Sequence, residues 1–281
     1  MKVNKIGLGT VQFGLDYGIS NQNGKVKDVS EILEFCKESG VDTIDTASAY
    51  GDAEERLGKC DLSSFKIVSK FTPSKSKDEF NNQFTRSLND LNQKKIYGYL
   101  AHKPLELLSN AWEWSSLQDL KSRSLVSKIG YSLNHPDELK KLLSNKLIPD
   151  IVQVPFNYFD KRFEIYFKEL KQLNVEIHCR SIFLQGLFFM DPDKLPDHFK
   201  EIKHYLKALQ EIENFPKELI HFVSNNPAID KIIIGTESVE QLRKNFELYF
   251  SSISEKKLPT IPTFDDELLM PMKWPKTQQN G

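Results

Sequence analysis

The chain has 281 residues, of which 39% are hydrophobic and 27% charged, a composition typical of globular proteins that excludes a wholly disordered or fibrous one. Its 38 Lys and Arg residues balance 39 Asp and Glu residues, so no basic excess is available for a nucleic-acid partner. No apolar run approaches the ~20 residues of a membrane-spanning helix, so we expect no membrane partner either.

The N-terminal segment and the cysteines favour a cytoplasmic protein. Residues 1–7 enter a strand-like run at once and lack the apolar core of a signal peptide. Cys36, Cys60 and Cys179 are an odd, widely spaced set, which suits neither a disulfide framework nor a zinc site. The six His residues are scattered. We therefore expect reduced thiols and no metal.

Short β-rich runs alternate with helical patterns along the chain. The predicted strands are Lys5–Gly9, Val41–Asp45, Lys66–Lys70, Ile96–His102, Lys128–Tyr131, Ile151–Val154, Glu176–Cys179 and Lys231–Ile234. The predicted helices include Asp28–Ser39, Lys77–Leu91, Pro136–Leu143, Phe163–Leu173 and Val239–Phe250. Strands separated by helices indicate parallel βαβ units, and eight of them favour a closed (β/α)8 TIM barrel over an open doubly wound sheet.

The barrel fills most of the chain, so we predict a single domain. Its core spans about residues 3–252, and a short C-terminal tail spans 253–281. The tail is rich in Pro and is expected to be extended, with Gln278–Gly281 frayed. One long insertion, Ser181–Phe215, precedes a helix around Pro216–Ser224.

A glycine cluster, Gly7, Gly9 and Gly14, begins within the first predicted strand and continues after it. It is not a dinucleotide fingerprint, because the third Gly falls at the wrong spacing and Leu15–Gly18 does not open a helix. Two interpretations remain. The segment is either a purely structural turn or a strand end whose small residues let a ligand approach the backbone.

Polar side chains stand at the carboxyl ends of the second, third and fourth predicted strands: Asp45 and Tyr50, then Lys70, then His102. In a barrel these ends share one rim, where barrel active sites lie. Each residue alone also has a structural interpretation: a turn cap, a half-buried aromatic ring, a solvated strand end and a hydrogen-bonded core imidazole, respectively.

Together the four residues can protonate a carbonyl oxygen. A phenol such as Tyr50 is a weak acid at neutral pH, and a nearby ammonium group favours its ionised form. A buried Lys70 stays charged only when it is paired, and Asp45 is the available anion. His102 can donate a hydrogen bond to an oxygen that gains charge, while a nucleophile arrives at carbon.

At these residues the sequence resembles the aldo-keto reductase superfamily. The matching segments cover most of the chain and are Ile6–Gly14, Ile44–Gly51, Lys70, His102, Gly130–Asn134, Gln153–Asn157, Gly186-Leu187 and Ile234–Asn245. The resemblance implies a (β/α)8 barrel that reduces an aldehyde or ketone with NAD(P)H, or catalyses the reverse. It makes Tyr50 the general acid, Lys70 its activating partner, Asp45 the anchor of Lys70, and His102 the donor that orients the carbonyl.

The resemblance also implies a cofactor site on the rim. The implied residues are Gly9, Thr10, Ser132, Gln153, Arg180, Ser181, Leu184, Gly186, Gly235, Thr236, Gln241 and Asn245. Ser132 and Gln153 would bind the carboxamide of nicotinamide, and 181–187 would run beside the pyrophosphate. Arg180 stands where the family has an aromatic residue, so it either stacks on nicotinamide or pairs with a carboxylate or substrate phosphate.

The resemblance favours NADPH over NADH, although this chain departs from the family at the expected 2′-phosphate ligands. Gly235 and Gln241 occupy the positions of a Lys and an Arg, and Arg243 and Lys244 lie close enough in sequence to substitute. The segment 235–238 precedes a helix, whose N-terminal amides suit an anion. The other interpretation of that segment is an ordinary helix cap at Ser238.

The resemblance implies a small-molecule carbonyl substrate, and a sugar-like one is a candidate. Candidate substrate contacts are Gln12, Tyr17, Trp112 or Trp114, Asn157, Tyr158 and Trp274. Two other functions remain open: a barrel lyase or aldolase that uses Lys70 as a Schiff-base nucleophile, and a non-catalytic cofactor-binding subunit. We expect a monomer or a weak homo-oligomer.

Overall fold

The computed structural model describes residues 3–18, 26–252 and 258–275. Within them, eight parallel strands close into one barrel in chain order, and β8 pairs back onto β1. The strands are β1 Ile6–Gly9, β2 Thr43–Asp45, β3 Lys66–Phe71, β4 Ile96–Ala101, β5 Val126–Ser132, β6 Ile151–Pro155, β7 Glu176–Arg180 and β8 Lys231–Gly235. The predicted TIM barrel is confirmed, and each strand lies within two residues of its predicted ends.

Helices connect the strands. They are α1 Val11–Gly14, α2 Val29–Glu38, α3 Ala53–Gly58, α4 Lys77–Asp90, α5 Glu106–Ser109, α6 Ala111–Ser122, α7 Pro136–Ser144, α8 Phe167–Gln172, α9 Lys203–Gln210, α10 Phe215–Ser224, α11 Val239–Phe250 and α12 Asp266–Leu269. The predicted helix Phe163–Leu173 is shorter and begins with a 3-10 turn, Glu164–Tyr166.

Local sequence explains where these helices begin. The Asp28 side chain accepts a hydrogen bond from the backbone N–H of Glu31 and so caps α2. Ile32, Leu33 and Cys36 lie on one face at helical spacing and are buried. The helix α2 therefore packs an apolar stripe against the rest of the main core.

The long insertion folds into a second apolar cluster beside the barrel. It contains α9 and the 3-10 turns Leu184–Phe189, Pro192–Lys194 and Asp197–Phe199. Its buried side chains pack against residues that follow β6 and against the tail, including Phe264 and Leu268. The tail thus contributes to the apolar packing of the chain.

The expectation of an extended tail is wrong for residues 266–273. This part contains the helical turn α12 and the 3-10 turn Pro271–Lys273. Leu268 and Leu269 are neighbours in sequence and both buried, which a helical turn allows and an extended strand, with alternating faces, does not. Pro271 stands first in its turn, where no N–H is needed. The predicted fraying of Gln278–Gly281 lies outside the described residues.

Three further findings concern the described residues. None of their helices is both long and apolar enough to cross a membrane. They contain no group of His, Cys, Asp or Glu side chains arranged to hold a metal ion. Cys36, Cys60 and Cys179 are free thiols, and two of them, Cys36 and Cys179, are buried.

Candidate active site

A buried ion pair lies at the carboxyl end of the barrel. Asp45 is the last residue of β2 and Lys70 is the last but one of β3, so both side chains reach the same rim. The Lys70 Nζ donates to Asp45 Oδ2 over 2.7 Å, and the side chains are 0% and 5% exposed. Because neither side chain reaches solvent, the two charges depend on each other for stabilisation.

Tyr50 and His102 complete the group. The Lys70 Nζ donates to the Tyr50 Oη over 3.4 Å and lies 4.9 Å from the centre of that ring. The His102 ring meets the Tyr50 ring edge to face, with 5.9 Å between centroids. The four side chains that the sequence singled out therefore lie together, and their catalytic roles stay predictions.

Glycines bring Tyr50 into this position. A Cβ atom on Gly14 would lie 1.6 Å from the Tyr50 carbonyl oxygen, so only glycine permits that approach. Gly51 has φ of +59° and packs against the Gly14 carbonyl. The glycine cluster of the first strand thus includes a structural contact that holds the loop after β2.

Lys70 is held in its charged form. Burial alone would lower the pKa of its ammonium group, but the charges of Asp45 and Tyr50 outweigh burial and raise that pKa. The ammonium also donates to the Thr46 carbonyl over 2.9 Å. Three oxygen atoms therefore accept its three hydrogens, and the amine has no free lone pair.

His102 is neutral at physiological pH. Burial, followed by the positive charge of Lys70, lowers the pKa of its imidazole from 6.5 to about 4. A neutral imidazole carries one N–H donor and one acceptor. Among the described residues, no hydrogen bond occupies its ring nitrogens, so His102 can donate to a bound oxygen.

Ser132 and Gln153 extend the group across the rim. The Gln153 Nε2 donates to Asp45 Oδ1 over 2.6 Å, which satisfies the second oxygen of that carboxylate. The Ser132 hydroxyl donates to Gln153 Oε1 over 3.4 Å. Both side chains are buried, and they connect the Lys70–Asp45 pair to the ends of β5 and β6.

The ends of β1 and β8 lie side by side. A Cβ atom on Gly9 would lie 3.3 Å from the Gly235 nitrogen, so the two backbones approach closely. The Gln12 side chain lies over Gly235, and its buried Oε1 has no hydrogen-bond partner among the described residues. The Thr10 hydroxyl donates its hydrogen to the backbone carbonyl of Asp45.

Arg180 lies on the rim at the end of β7. Its Nη2 donates to the Leu133 carbonyl over 2.8 Å and to Asn134 Oδ1 over 2.6 Å, and its Nη1 donates to Ser181 Oγ over 3.3 Å. The side chain therefore spans from β7 to the loop after β5. No carboxylate of a described residue lies within ion-pairing distance of its guanidinium.

The loop after β7 has an unusual backbone. Ser181, Leu184, Gln185 and Gly186 all have positive φ, between +46° and +92°. Left-handed residues other than Gly are uncommon and cluster at functional sites. Leu184 is buried, so only its backbone can face a ligand.

Gln185 lies in the segment 181–187, but the sequence analysis gave its side chain no role of its own. Its Nε2 donates to the Tyr17 hydroxyl over 2.6 Å, which joins the loops after β7 and β1. Nothing in the sequence pairs the two positions, because they are 168 residues apart. Only the closed barrel brings them together.

The implied phosphate region lies at the end of β8 and the start of α11. Ser238 caps this helix by accepting from the Gln241 N–H over 3.2 Å. The Gln241 Oε1 accepts from the Thr236 hydroxyl and from the Glu237 N–H, so this side chain folds back on its own loop. Asn245 is buried one turn further along α11.

The nearby Arg243 is engaged elsewhere. Its guanidinium carbon lies 4.6 Å from the centre of the Phe35 ring, on the face of α11 that contacts α2. This contact weakens the expectation that Arg243 substitutes for a missing phosphate ligand. Lys244 is exposed.

Glu54 is a second residue that the sequence analysis missed. Its carboxylate accepts from Ser69 Oγ over 2.5 Å and from Ser87 Oγ over 2.9 Å, and it is buried. Burial raises the pKa of this carboxyl group. Glu54 fastens α3 to β3 and α4 directly behind Lys70, and a lone Glu in a helical pattern gave no signal of this role.

Several candidate substrate contacts are structural. Trp114 is buried on the outside of the barrel, where it lines a surface groove of about 440 Å³ with Lys121 and Asp150. Asn157 is fully buried and donates to the Ser181 carbonyl. The buried Tyr158 donates from its hydroxyl to the Pro259 carbonyl.

The remaining Trp candidates also pack against protein. Trp112 lies edge to face with Phe80, at 6.3 Å between centroids. Trp274 donates from Nε1 to the Leu268 carbonyl and packs on Phe199, so it fastens the tail. Two other substrate candidates lie on the rim: the Gln12 side chain lies over Gly235, and the Tyr17 hydroxyl accepts from Gln185.

Comparisons with known proteins give a consistent result. A family model described as the aldo/keto reductase family matches residues 5–266. An uncharacterised oxidoreductase of Bacillus subtilis, YqkF, is 22% identical over 88% of this chain and 87% of its own length.

Two solved structures share the fold. The aldo-keto reductase AKR11C1 of Bacillus halodurans superposes with a TM-score of 0.69 at 18% identity, covering 89% of this chain and 88% of that one. An aldo-keto reductase of Klebsiella pneumoniae in complex with NADPH superposes with a TM-score of 0.65 at 19% identity, covering 90% of this chain and 88% of that one.

Proposed function

Since this chain belongs to the aldo/keto reductase family and is an oxidoreductase, we propose that it reduces an aldehyde or ketone to an alcohol with a nicotinamide cofactor. The observation that carries the proposal is the connected group of Tyr50, Lys70 and Asp45 beside His102. It combines a proton donor, a buried cation and a neutral hydrogen-bond donor at one rim.

The protein's own residues would handle the proton. The Lys70 ammonium donates to the Tyr50 Oη, so the phenol hydrogen is left to point at a substrate oxygen. Tyr50 gives this proton to the carbonyl oxygen as the carbonyl carbon accepts a hydride. The phenolate that remains is stabilised by Lys70, and Lys70 by Asp45.

His102 would orient the substrate. As a neutral imidazole it donates a hydrogen bond to the carbonyl oxygen without competing as an acid. Gln153 holds the Asp45 carboxylate in place from the opposite side. The charge that develops on the oxygen is thus met by donors fixed before the reaction begins.

The rim residues fit a nicotinamide dinucleotide, which would supply the hydride when bound. Ser132 and Gln153 are a buried hydroxyl and amide, and each keeps hydrogen-bonding capacity for a carboxamide. The N-terminal amides of α11 suit a phosphate. The unpartnered Oε1 of Gln12, beside Gly235, is a buried acceptor that a ligand donor would satisfy.

We propose NADPH ahead of NADH as this cofactor. The Klebsiella structure of the same fold is a complex with NADPH. In this chain, Lys244 on α11 is the cation that would meet a 2′-phosphate, since Arg243 lies on Phe35. A sugar-like carbonyl is the first substrate to test, because Tyr17, Gln185 and Arg180 make this part of the rim polar.

The two rival functions are less compatible with the geometry. A Schiff-base lysine needs a neutral amine with a lowered pKa, whereas the pKa of Lys70 is raised and its ammonium donates to three oxygen atoms. A non-catalytic subunit would have no need to retain all four side chains in contact.

The experiment compares variants of two tyrosines. We expect NADPH, or failing that NADH, to bind to the purified protein and quench its intrinsic fluorescence. We also expect the protein to oxidise that cofactor when it is given a panel of aldehydes, ketones and aldoses. Tyr50→Phe should lower turnover by about 10²–10⁴-fold and leave cofactor affinity nearly unchanged, because only a proton donor is lost.

The matched control is Tyr97→Phe at the opposite end of the barrel, where the hydroxyl donates to Glu176. It should keep full turnover. Failure of the protein to bind either cofactor would refute the proposal, and a fully active Tyr50→Phe variant would remove Tyr50 as the acid.

A further inference from the structure

Arg180 brings an uncompensated positive charge to the rim. Its hydrogen-bond acceptors are neutral: the Leu133 carbonyl, Asn134 Oδ1 and Ser181 Oγ. The fully buried cation of the site, Lys70, is by contrast paired with Asp45. The half-buried Arg180 therefore adds a positive charge to the rim that no carboxylate of a described residue pairs with.

This charge lies within reach of the reacting groups. The guanidinium spans the end of β6, whose Gln153 contacts Asp45. Burial lowers the pKa of His102 and raises that of Tyr17, and the Arg180 charge acts on both groups by lowering each pKa. Arg180 therefore lies on the same part of the rim as His102 and Tyr17.

Hydride transfer would change the charge at this part of the rim. A reduced nicotinamide ring is neutral and an oxidised ring carries one positive charge. The ring would have to reach a carbonyl carbon whose oxygen lies at Tyr50 and His102, so it would lie near Arg180. A cation held on the rim repels the oxidised ring, whereas it exerts no net charge–charge force on the neutral reduced one.

We propose that Arg180 makes the site select the redox state of its cofactor, binding the reduced form more tightly than the oxidised form. This inference rests on the proposed function. It gives Arg180 a specificity role that an aromatic residue at the same position cannot have, because an aromatic face attracts a cation. The bound oxidised cofactor is released more readily, and turnover in the reductive direction benefits.

The test measures binding, so it does not depend on turnover. NADPH and NADP⁺ carry the same phosphates, and the ratio of their dissociation constants isolates the charge of the ring. In Arg180→Gln, which keeps a polar side chain and removes the charge, we expect the ratio Kd(NADP⁺)/Kd(NADPH) to fall about tenfold. For this two-electron couple, tenfold corresponds to about 30 mV in the potential of the bound cofactor.

Two further variants separate charge from structure. Arg180→Lys keeps the charge and should keep most of the wild-type ratio. Asn134→Asp places a carboxylate at the oxygen that Arg180 already contacts at 2.6 Å, so it neutralises the charge with the arginine in place and should lower the ratio as Arg180→Gln does. This variant decides the question if Arg180→Gln does not fold.

The control is Arg123→Gln, which removes an exposed arginine paired with Asp119 and should leave the ratio unchanged. An unchanged ratio in both Arg180→Gln and Asn134→Asp overturns the inference and leaves the proposed function intact. A wild-type protein that binds neither form of NADP or NAD overturns both proposals.

Discussion

Both ends of the barrel carry charged side chains, but these side chains are paired differently at the two ends. At the amino ends of the strands, Lys128 pairs with Glu176 at 2.7 Å and Lys66 pairs with Asp42 at 3.1 Å, and Lys231 also contacts Asp42. At the carboxyl ends, one pair is fully buried and Arg180 is left without an anion among the described residues. The amino end is thus neutralised by ion pairs, whereas the carboxyl end, where the proposed active site lies, keeps an unpaired charge.

The contrast is clearest in how the pairs meet solvent. The side chains of Lys128 and Glu176 are 29% and 25% exposed, so water shares in stabilising them. Lys70 and Asp45 are 0% and 5% exposed and rely on each other and on Gln153. Removing one member of the ion pair should therefore lower the stability of the protein more at the carboxyl end than at the amino end.

The largest expected difference is between two lysine variants, one at each end of the barrel. Lys70→Met should lower turnover by about 10²–10⁴-fold and stability by about 3–5 kcal/mol, because it leaves Asp45 buried and unpaired. Lys128→Met should cost about 0–1 kcal/mol and leave turnover unchanged. Chemical denaturation and steady-state rates measure the two effects.

A double variant separates the causes. Asp45→Asn with Lys70→Met removes both charges, so it should recover part of the lost stability and none of the turnover. Recovery of turnover would place the proton chemistry elsewhere.

A smaller effect is expected from Glu176→Gln at the amino end. Burial would raise the pKa of this carboxyl group, but hydrogen bonds from His178, Lys128 and Tyr97 lower it from 4.5 to about 2. At pH 7 the variant should lose about 1–3 kcal/mol of stability and keep its turnover.

The pH dependence of that loss follows from the sign of the shift. A carboxyl group whose pKa is depressed on folding stabilises the protein above its unfolded pKa and loses this effect as pH falls through its folded value. The difference between wild type and Glu176→Gln should therefore shrink between pH 4.5 and about 2. A difference that stays constant over this range would mean that the charge of Glu176 contributes nothing.

The smallest effect is expected at the tail, which is tied to the rim by charge. Arg162 binds Asp160 through two hydrogen bonds, at 2.7 and 2.8 Å, and also contacts Asp266. His135 lies 3.2 Å from the same Asp266 carboxylate. Asp266→Asn should lower stability by about 0–1 kcal/mol, since this carboxylate is 36% exposed. A loss of several kcal/mol would show that the tail is part of the cooperative core.

The sequence predicted the strands well because their signal is local. Runs such as Ile151–Val154 are apolar, short and flanked by helical patterns, and parallel strands buried on both faces look like this. The rim residues followed from topology, since strand ends in a barrel share one edge. Asp45, Lys70 and His102 could be grouped without knowing any distance.

The features that the sequence did not predict depend on contacts between segments that are distant in the chain. The helical turn α12 forms because Leu268 and Leu269 find a cluster built by the insertion, which the prolines of the tail do not indicate. The hydrogen-bond partners of Arg180 depend on which loop its side chain reaches. The sequence left two interpretations open, stacking on nicotinamide and pairing with a carboxylate or substrate phosphate. Glu54 and Gln185 gave no periodic or motif signal at all.

The contact between Gly14 and the loop after β2 also constrains protein engineering. A library that randomises residues 47–51 to alter substrate range moves a loop whose backbone rests on a position with no room for a side chain. Gly14 should therefore be held fixed and Gly51 restricted to glycine, and diversity placed at Tyr17 and Gln185 across the rim. Variation at these two positions changes the rim without displacing the loop that carries Tyr50.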